Sequence, residues 1–246
     1  METIAIVSRK GGVSKTTTCH MLGAGLLRRG YSVLYIDLDS QANLTFALNV
    51  PPGHGSMNML TGIRKARDVI QRTDHGDIVP AGEDLAKADS VLNNEYLLRA
   101  ALDDVKGLYD YVIIDTPAAL GRLTANALTA ADTAIITVQP ETYSLIGMHL
   151  LNNLIKAVRR HSNTKLDVRG VLLTRYSSTT ISKDMRENME DFAKKLGTRL
   201  FNTVIRENTK IKEAQNLRKD IFEYSPRSNG AADYGAFIDE FLQREE

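Results

Sequence analysis

A glycine-containing run near the start of the chain constrains the fold more than any other segment. Residues 3–8 are short, apolar and rich in β-branched side chains, which is typical of a buried parallel strand. The following residues read Arg-Lys-Gly-Gly-Val-Ser-Lys-Thr-Thr-Thr, and a helical pattern continues from Thr16 to about Arg29. A strand, a glycine turn and a helix start in this order predict a phosphate-binding loop.

The residue types in this loop predict its contacts with a nucleotide. Gly11 and Gly12 allow the backbone to approach a phosphate closely, and the start of the following helix favours an oxyanion. Lys15 supplies a positive charge for the β- and γ-phosphates, and the Thr16 hydroxyl is placed to bind Mg²⁺. We therefore predict ATP and Mg²⁺ as ligands, bound by Lys10, Gly11, Gly12, Val13, Ser14, Lys15, Thr16 and Thr17.

The rest of the chain alternates between strand-like and helix-like segments. This alternation predicts an α/β fold, with a doubly wound, mostly parallel sheet flanked by helices on both faces. Residues 49–76 are the least regular part, and no repeat or linker divides the chain, so residues 1–246 are predicted to form a single domain. Further strands are predicted at residues 32–37, 77–80, 109–115, 133–138, 168–174 and 200–205, and helices within 83–104 and at 121–131, 144–160, 182–196, 208–217 and 230–244.

Composition and the start of the chain exclude several classes of protein. No segment approaches the roughly 18 continuous apolar residues that span a bilayer. The first residues lack the basic region and the longer apolar run of a signal peptide. Cys19 is the one cysteine, which excludes an internal disulfide framework and a four-cysteine zinc site within one chain. We therefore expect a cytoplasmic protein that is not a membrane protein.

Charge is distributed unevenly, although the net charge is only +1. Residues 155–219 hold 16 basic and 7 acidic side chains, a net of +9, whereas residues 220–246 carry 2 basic and 7 acidic ones, a net of −5. Such asymmetry indicates either a surface that faces a polyanion or a set of solvated helix faces. Composition alone does not separate these two interpretations.

The spacing Lys-Gly-Gly-x-x-Lys-Thr at residues 10–16 resembles the deviant Walker motif of the ParA/MinD class of P-loop ATPases. Residues 33–45, a strand followed by Asp-x-Asp-x-Gln, resemble the second motif of that class, and residues 112–117 resemble its Walker B strand. The resemblance covers nearly the whole chain. Ser14 differs from the glycine that usually precedes the loop lysine, and we expect a modest difference in loop geometry or affinity there, because its Cβ restricts the backbone.

The resemblance implies roles for particular side chains. Lys10 corresponds to the signature lysine, which in this class reaches across a nucleotide-sandwich homodimer to the partner's phosphates. Asp39 is expected to orient the attacking water and to contact the Mg²⁺ shell, with Asp37 supporting its loop. Asp115 is expected to hold Mg²⁺ through water. The predicted catalytic residues are therefore Lys10, Lys15 and Asp39, and the predicted metal site comprises Thr16, Asp39 and Asp115.

Family members often build the pocket for the base near two later segments. Residues 170–176 and 203–208 of this chain resemble those segments, so Arg175, Arg206 and Asn208 are candidates for contacts with the base. Arg206 replaces the proline that is usual at its position.

Several relatives share the loop, and other features of the sequence separate them. A MinD-like membrane protein needs a basic amphipathic C-terminal helix, but residues 236–246 are acidic, and anionic lipid would repel them. Relatives of the nitrogenase iron protein need two cysteines per subunit for their cluster, and Cys19 cannot supply both. Tyrosine-kinase relatives carry a C-terminal tyrosine cluster that this sequence lacks. The partition group of ParA proteins remains.

The partition group implies an ATP-dependent dimer that binds DNA without sequence specificity. A ParB-like, centromere-binding partner would stimulate slow hydrolysis, and the ATP-bound dimer would associate with the nucleoid. Because the first strand begins at Thr3, we expect no helix-turn-helix domain before it and no operator-specific repression. The alternative is an ATP-gated positioning or assembly switch whose cargo is not DNA. Candidate DNA contacts are Lys183, Arg186, Arg199, Lys210, Lys212, Arg218 and Lys219.

Overall fold

Seven parallel strands form one sheet at the centre of the described part of the chain, in the order β3-β2-β4-β1-β5-β6-β7. The computed structural model describes residues 1–141, 144–177 and 180–243, and side chains in these ranges except those of 144–146 and 180–184. The strands are β1 (Glu2–Val7), β2 (Val33–Asp37), β3 (Asp77–Val79), β4 (Tyr111–Asp115), β5 (Thr133–Val138), β6 (Asp167–Tyr176) and β7 (Leu200–Arg206).

Helices connect the strands and cover the sheet, and two short 3-10 helices lie at Glu83–Lys87 and Asp103–Val105. None of the helices within the described ranges is both long and apolar enough to cross a membrane. The helices are α1 (Lys15–Leu27), α2 (Asn43–Ala47), α3 (Gly55–Leu60), α4 (Ala66–Val69), α5 (Ala88–Val91), α6 (Leu97–Leu102), α7 (Arg122–Ala130), α8 (Ser144–His161), α9 (Thr180–Leu196), α10 (Thr209–Asn216), α11 (Ile221–Tyr224) and α12 (Asn229–Leu242).

Two apolar cores lie on the two faces of the sheet. Successive side chains of β1 alternate between them: Ile4 and Ile6 pack in one core, and Ala5 and Val7 in the other. The first core includes α1 and α12, and the second includes residues of α3 and α6 to α9. Both faces are covered, which explains why the central strands read as continuous apolar runs. The predicted fold class is confirmed.

The register of the central strands positions the functional edge. In the pairing of β2 with β4, Asp37 lies opposite Asp115, and in the pairing of β1 with β4, Ile6 lies opposite Asp115. The carboxyl ends of β1, β2 and β4 therefore meet at one edge of the sheet. The loop after β1 and the acidic residues that end or follow β2 and β4 consequently face the same space.

The region of residues 83–104 differs from the single helix predicted there. It contains a 3-10 helix, α5 and α6, with a break in which the Asn94 side chain accepts a hydrogen bond from the backbone N–H of Tyr96 at 2.9 Å. A local side-chain bond of this kind competes with helix continuation. Short helices also occur within residues 49–76, and α11 was not predicted. Residue 244, which the predicted last helix included, lies outside the described residues.

Candidate functional site

The loop between β1 and α1 adopts a tight curve at the start of the helix. Gly12 and Ser14 both have left-handed backbone conformations, with φ of +75° and +61°. Ser14 begins α1, because its carbonyl oxygen accepts a hydrogen bond from the Thr18 N–H at 2.8 Å. A left-handed conformation costs a residue with a Cβ about 1 kcal/mol, which glycine avoids. The serine therefore keeps the loop conformation at an energetic cost.

A cavity of about 720 Å³ opens above this loop and the first turn of α1. The Lys15 side chain points into a nearly closed environment, with only 7% of the residue exposed, and its Nζ lies 3.4 Å from the Lys10 carbonyl oxygen. The structure thus brings most of the predicted nucleotide contacts to one cavity. Its lining includes Gly11, Gly12, Ser14, Lys15, Thr16, Thr17, Asp39, Arg175, Arg206 and Asn208.

Thr16 and Asp115 form a pair that fits a divalent cation. The Thr16 hydroxyl donates to Asp115 Oδ2 at 2.6 Å, while Asp115 Oδ1 is buried and lacks a hydrogen-bond partner among the described residues. Burial, and next the charge of Asp37, raise the pKa of Asp115 above its ordinary value. A cation at this position would satisfy the free oxygen and favour the ionised carboxylate. The donor set is therefore suitable for Mg²⁺.

Asp37 supports the loop that carries Asp39. Its Oδ2 accepts hydrogen bonds from the Thr45 N–H at 2.9 Å and the Thr45 hydroxyl at 2.7 Å, and its Oδ1 accepts from the Asp39 N–H at 3.1 Å. Thr45 Oγ1 also accepts from the Ala81 N–H at 3.0 Å, which ties α2 to the segment after β3. Asp39 is half-buried and lines the cavity. The catalytic and metal-binding roles of Asp39 stay predictions.

The three residues predicted to contact the base are engaged by other groups. Arg175 donates to the Gly12 carbonyl oxygen at 3.4 Å and pairs with Glu207 at 3.2 Å, so it bridges the phosphate loop and the segment after β7. Asn208 caps α10 by accepting from the Lys210 N–H at 2.8 Å. All three line the cavity, and their contacts with a base stay predictions.

The guanidinium of Arg206 forms an ion pair with Asp233 of α12. Its Nε donates to both carboxylate oxygens of Asp233 at 3.0 and 3.1 Å, and its terminal nitrogen donates to Asp233 Oδ1 at 2.6 Å. The backbone N–H of Arg206 donates to the same carboxylate at 3.0 Å. Bidentate pairing of this kind fixes the guanidinium plane, so the arginine ties β7 to α12.

Lys10 lies on the opposite side of the loop from Lys15. It lines a second cavity of about 480 Å³, together with Val13, Met148 and Leu150. Its ammonium forms an ion pair with Glu141, and both side chains are a little over two-fifths exposed. Lys10 thus faces outward rather than toward the nucleotide cavity of its own chain.

The candidate DNA contacts lie on separate segments, and each one whose side chain is described has a nearby partner. Arg186 pairs with Glu190 at 3.4 Å, and Lys219 with Glu223 at 2.6 Å. Lys212 lines the nucleotide cavity, where it pairs with Glu207. The Lys183 side chain lies outside the described residues. The remaining partners are Glu240 for Arg199, Glu213 for Lys210, and Asn49 with the Phe46 ring for Arg218.

The structure also reveals contacts that the sequence interpretation missed. Gln215 donates from Nε2 to the Thr17 hydroxyl at 2.7 Å and so links α10 to the first turn of α1. Glu141 follows β5 at the functional edge, and its position after a predicted strand was an available signal. Phe46 lines the cavity from α2, and no motif pointed to it. Contacts between distant segments depend on packing, which spacing does not report.

His20 provides a pH-dependent contribution to stability. It is 2% exposed, and its Nδ1 has no hydrogen-bond partner among the described residues. Burial lowers its pKa from 6.5 to about 4, although the charge of Asp220 opposes this. Because the folded pKa is depressed, the unfolded chain binds more protons between these values. The stability present above pH 6.5 is therefore lost as the pH falls toward 4.

We expect this histidine to remove about 2 kcal/mol from the free energy of unfolding between pH 7 and pH 5. The variant His20→Leu should flatten that pH dependence, and urea denaturation at both pH values would measure it. His161→Leu, at an exposed position, is the matched control and should leave the dependence unchanged. An unchanged pH dependence in His20→Leu would contradict the assignment.

A phosphate loop at the carboxyl edge of a parallel sheet, with carboxylates beside it, defines a P-loop nucleoside triphosphatase. A family model described as an AAA domain matches residues 1–168. The chain is 39% identical over 245 residues to the sporulation initiation inhibitor protein Soj of Bacillus subtilis, with 94% of each chain covered. It is 36% identical to the chromosome-partitioning ATPase Soj of Thermus thermophilus, covering 98% of this chain and 95% of that protein. The chain belongs to the Soj/ParA family of P-loop ATPases.

A solved structure supports the identity of the ligands. Cobyrinic acid a,c-diamide synthase from Mycobacterium smegmatis, with a bound ATP analogue and magnesium, is 34% identical to this chain. Its TM-score is 0.81, and the match covers 97% of this chain and 93% of that one. Together with the family membership, this similarity confirms the predictions of an ATP hydrolase and of ATP and Mg²⁺ as its ligands.

Proposed function

We propose that this chain is an ATP-dependent, dimerising ATPase that binds DNA without sequence specificity and partitions a plasmid or a chromosome. A DNA-bound, ParB-like partner would stimulate its weak intrinsic hydrolysis. The similarity to the chromosome-partitioning ATPase Soj over nearly the full length supports partition as the process. We further propose that residues 1–246 act as a single domain, in the cytoplasm and on the nucleoid when ATP is bound.

The outward position of Lys10 is the observation that most supports the proposed dimer. Two lysines of one loop lie on opposite sides of it: Lys15 in the nucleotide cavity, and Lys10 beside a separate cavity with the apolar side chains of Met148 and Leu150. Leu150 is 48% exposed, so this side of the loop presents both a charge and apolar surface. If a second copy of the chain docks here, Lys10 of the first copy would lie near the phosphates of the nucleotide bound to the second. A cation at that position stabilises the transferring phosphoryl group.

The remaining chemistry follows from side chains in the nucleotide cavity. Lys15 and the loop N–H groups bind the phosphates, and Thr16 and Asp115 hold Mg²⁺. When bound, Mg²⁺ neutralises charge on the β- and γ-phosphates. Asp39 orients the attacking water, and Asp37 keeps the Asp39 loop in place through its bond to the Asp39 N–H. Arg175 donates a hydrogen bond to the Gly12 carbonyl oxygen of the loop.

The pair of Lys10 with Glu141 predicts opposite effects for two variants. Lys10→Ala is expected to weaken the ATP-dependent dimer while leaving ATP binding by the monomer nearly unchanged, because Lys10 lies outside its own nucleotide cavity. Glu141→Gln is expected to strengthen the dimer by up to about fivefold, since it removes an exposed ion pair that holds Lys10.

Light scattering after size-exclusion chromatography would measure these dimers with ATP in the Asp39→Ala background, which suppresses turnover. Lys106→Ala, which removes an exposed cation outside both cavities, is the control and should dimerise normally. Normal dimerisation of Lys10→Ala would exclude a role for Lys10 across the interface.

DNA binding across a salt series tests the proposed function directly. The Asp39→Ala variant is mixed with random-sequence duplex DNA and with ATP, ADP or no nucleotide. Binding is expected only with ATP, and its affinity should fall steeply between about 50 and 200 mM salt, because phosphate contacts release counterions. Absence of DNA binding with every nucleotide would contradict the partition proposal and favour an ATP-gated positioning switch with another cargo.

A further inference from the structure

Helix α2 exposes an aromatic side chain in the nucleotide cavity. Leu44, Thr45 and Ala47 of this helix are buried, whereas Phe46 is 45% exposed. The ring of Phe46 contributes to the lining of the 720 Å³ cavity that also contains Lys15 and Thr16. A large apolar side chain at this exposure loses stabilisation unless something covers it when the site is occupied.

One face of the Phe46 ring is already covered by a cation. The Arg218 guanidinium carbon lies 4.3 Å from the ring centroid, which is within the range of a cation–π contact. Arg218 also donates a hydrogen bond to the Asn49 side chain, just beyond α2. These contacts hold the ring in place. Phe46 lines the cavity, whereas Arg218 does not. The part of the ring that Arg218 leaves uncovered therefore faces the cavity.

One wall of the cavity comes from β7 and α10. Ile205 and Ile211 contribute buried apolar side chains, and Asn208 and Asn216 contribute amides to the lining. Gln215 ties this wall to the first turn of α1 through its bond to Thr17. Beyond the phosphate loop, the cavity is therefore lined by one aromatic ring and by mixed apolar and amide groups.

We propose that the purine base of the bound nucleotide stacks on Phe46, and that Arg218 acts as the support behind the ring. Aromatic rings and purines attract each other through their faces, and a flat base would cover the apolar surface that Phe46 exposes. The neighbouring amides would bind the polar edge of the base. Phe46 is thus a determinant of affinity for the nucleoside part of the ligand. The proposal takes ATP as the nucleotide and depends on neither the DNA binding nor the dimer of the proposed function.

The test compares a ligand with a base and one without. Mg-ADP and Mg-pyrophosphate carry the same two phosphates, but only ADP has a base, and neither is hydrolysed by this site. Calorimetry of the full chain would measure both dissociation constants for the unmodified protein and for Phe46→Ala, Phe46→Leu and Phe46→Tyr. Leu217→Ala, which removes an exposed apolar side chain next to Arg218, is the control.

Phe46→Ala and Phe46→Leu are each expected to weaken ADP binding about tenfold, in line with the loss of one base–aromatic stack, and to leave pyrophosphate binding unchanged. Phe46→Tyr, which keeps the ring, and Leu217→Ala should bind ADP normally. Leucine retains the apolar packing of this position. A loss of ADP affinity in both substitutions would therefore result from the missing aromatic ring and not from missing apolar surface.

Two results would overturn the proposal. Equal weakening of ADP and pyrophosphate would mean that Phe46 supports the phosphate loop, and unchanged ADP binding in Phe46→Leu would mean that the ring contacts no base. The experiment involves no DNA and no dimer, so it can succeed where the DNA-binding test fails. Failure of the partition proposal and failure of the stacking proposal are therefore distinguishable.

Discussion

Replacement of Lys15 by alanine is expected to reduce the affinity for Mg-ATP by at least about 100-fold. The phosphates of ATP would lose a buried charged partner, and truncation of a buried charge pair costs about 2–5 kcal/mol. Only 7% of Lys15 is exposed, and its Nζ has a long, 3.4 Å contact with the Lys10 carbonyl oxygen, so the ammonium keeps donors for a phosphate. Calorimetry with ATP at low salt would measure the loss.

A matched control for this variant is Lys106→Ala, which removes an exposed lysine outside the nucleotide cavity. Its ATP affinity should equal that of the unmodified chain. Thermal unfolding without nucleotide would show whether Lys15→Ala still folds. A folded Lys15→Ala protein that binds ATP normally would remove Lys15 from the phosphate site.

Replacement of Asp39 by alanine is expected to lower the rate of ATP hydrolysis by at least about 100-fold and to leave ATP affinity nearly unchanged. General base or orienting groups contribute about 10²–10⁴-fold to such rates. Asp39 is half-buried and lines the cavity, and its Oδ1 accepts a hydrogen bond from the Gln41 N–H at 3.0 Å, which leaves Oδ2 for water. Single-turnover hydrolysis with saturating ATP would measure the rate.

Ser40→Ala provides the control for Asp39, because Ser40 lines the same cavity one residue later and has no predicted role. Its hydrolysis rate should stay within about threefold of the unmodified chain, as is usual for a position without catalytic contacts. Full turnover by Asp39→Ala would contradict the assignment of this carboxylate.

The phosphate loop and the central sheet were predictable because their signals are local. A buried parallel strand needs a continuous apolar run, and a helix start that binds phosphate needs a glycine turn before it. Residues 133–138 were accordingly predicted with the bounds that the structure shows for β5. Asp115 could be placed at the functional edge because every parallel strand of such a sheet ends on the same side.

The interaction partners of Arg206 and Arg218 were not predictable. Arg206 and Arg218 both read as exposed cations, one for a base and one for DNA. The structure pairs Arg206 with Asp233 of α12 and places Arg218 over the ring of Phe46. The acids and rings that capture these side chains come from segments far away in the sequence, so charge counts over residues 155–219 do not register them.

The sequence by itself determined the class of site: a strand, two lysines in a glycine loop and the acids that follow two later strands. These features depend on the spacing of neighbouring residues. Backbone geometry then places the loop and the acids at the same edge of the sheet. Only the tertiary structure decided which lysine faces the nucleotide cavity, which partners the surrounding basic side chains pair with, and that Phe46 lines the cavity. Those outcomes depend on how helices pack across the sheet, because contacts over long sequence separations form only when the two faces of the sheet are covered.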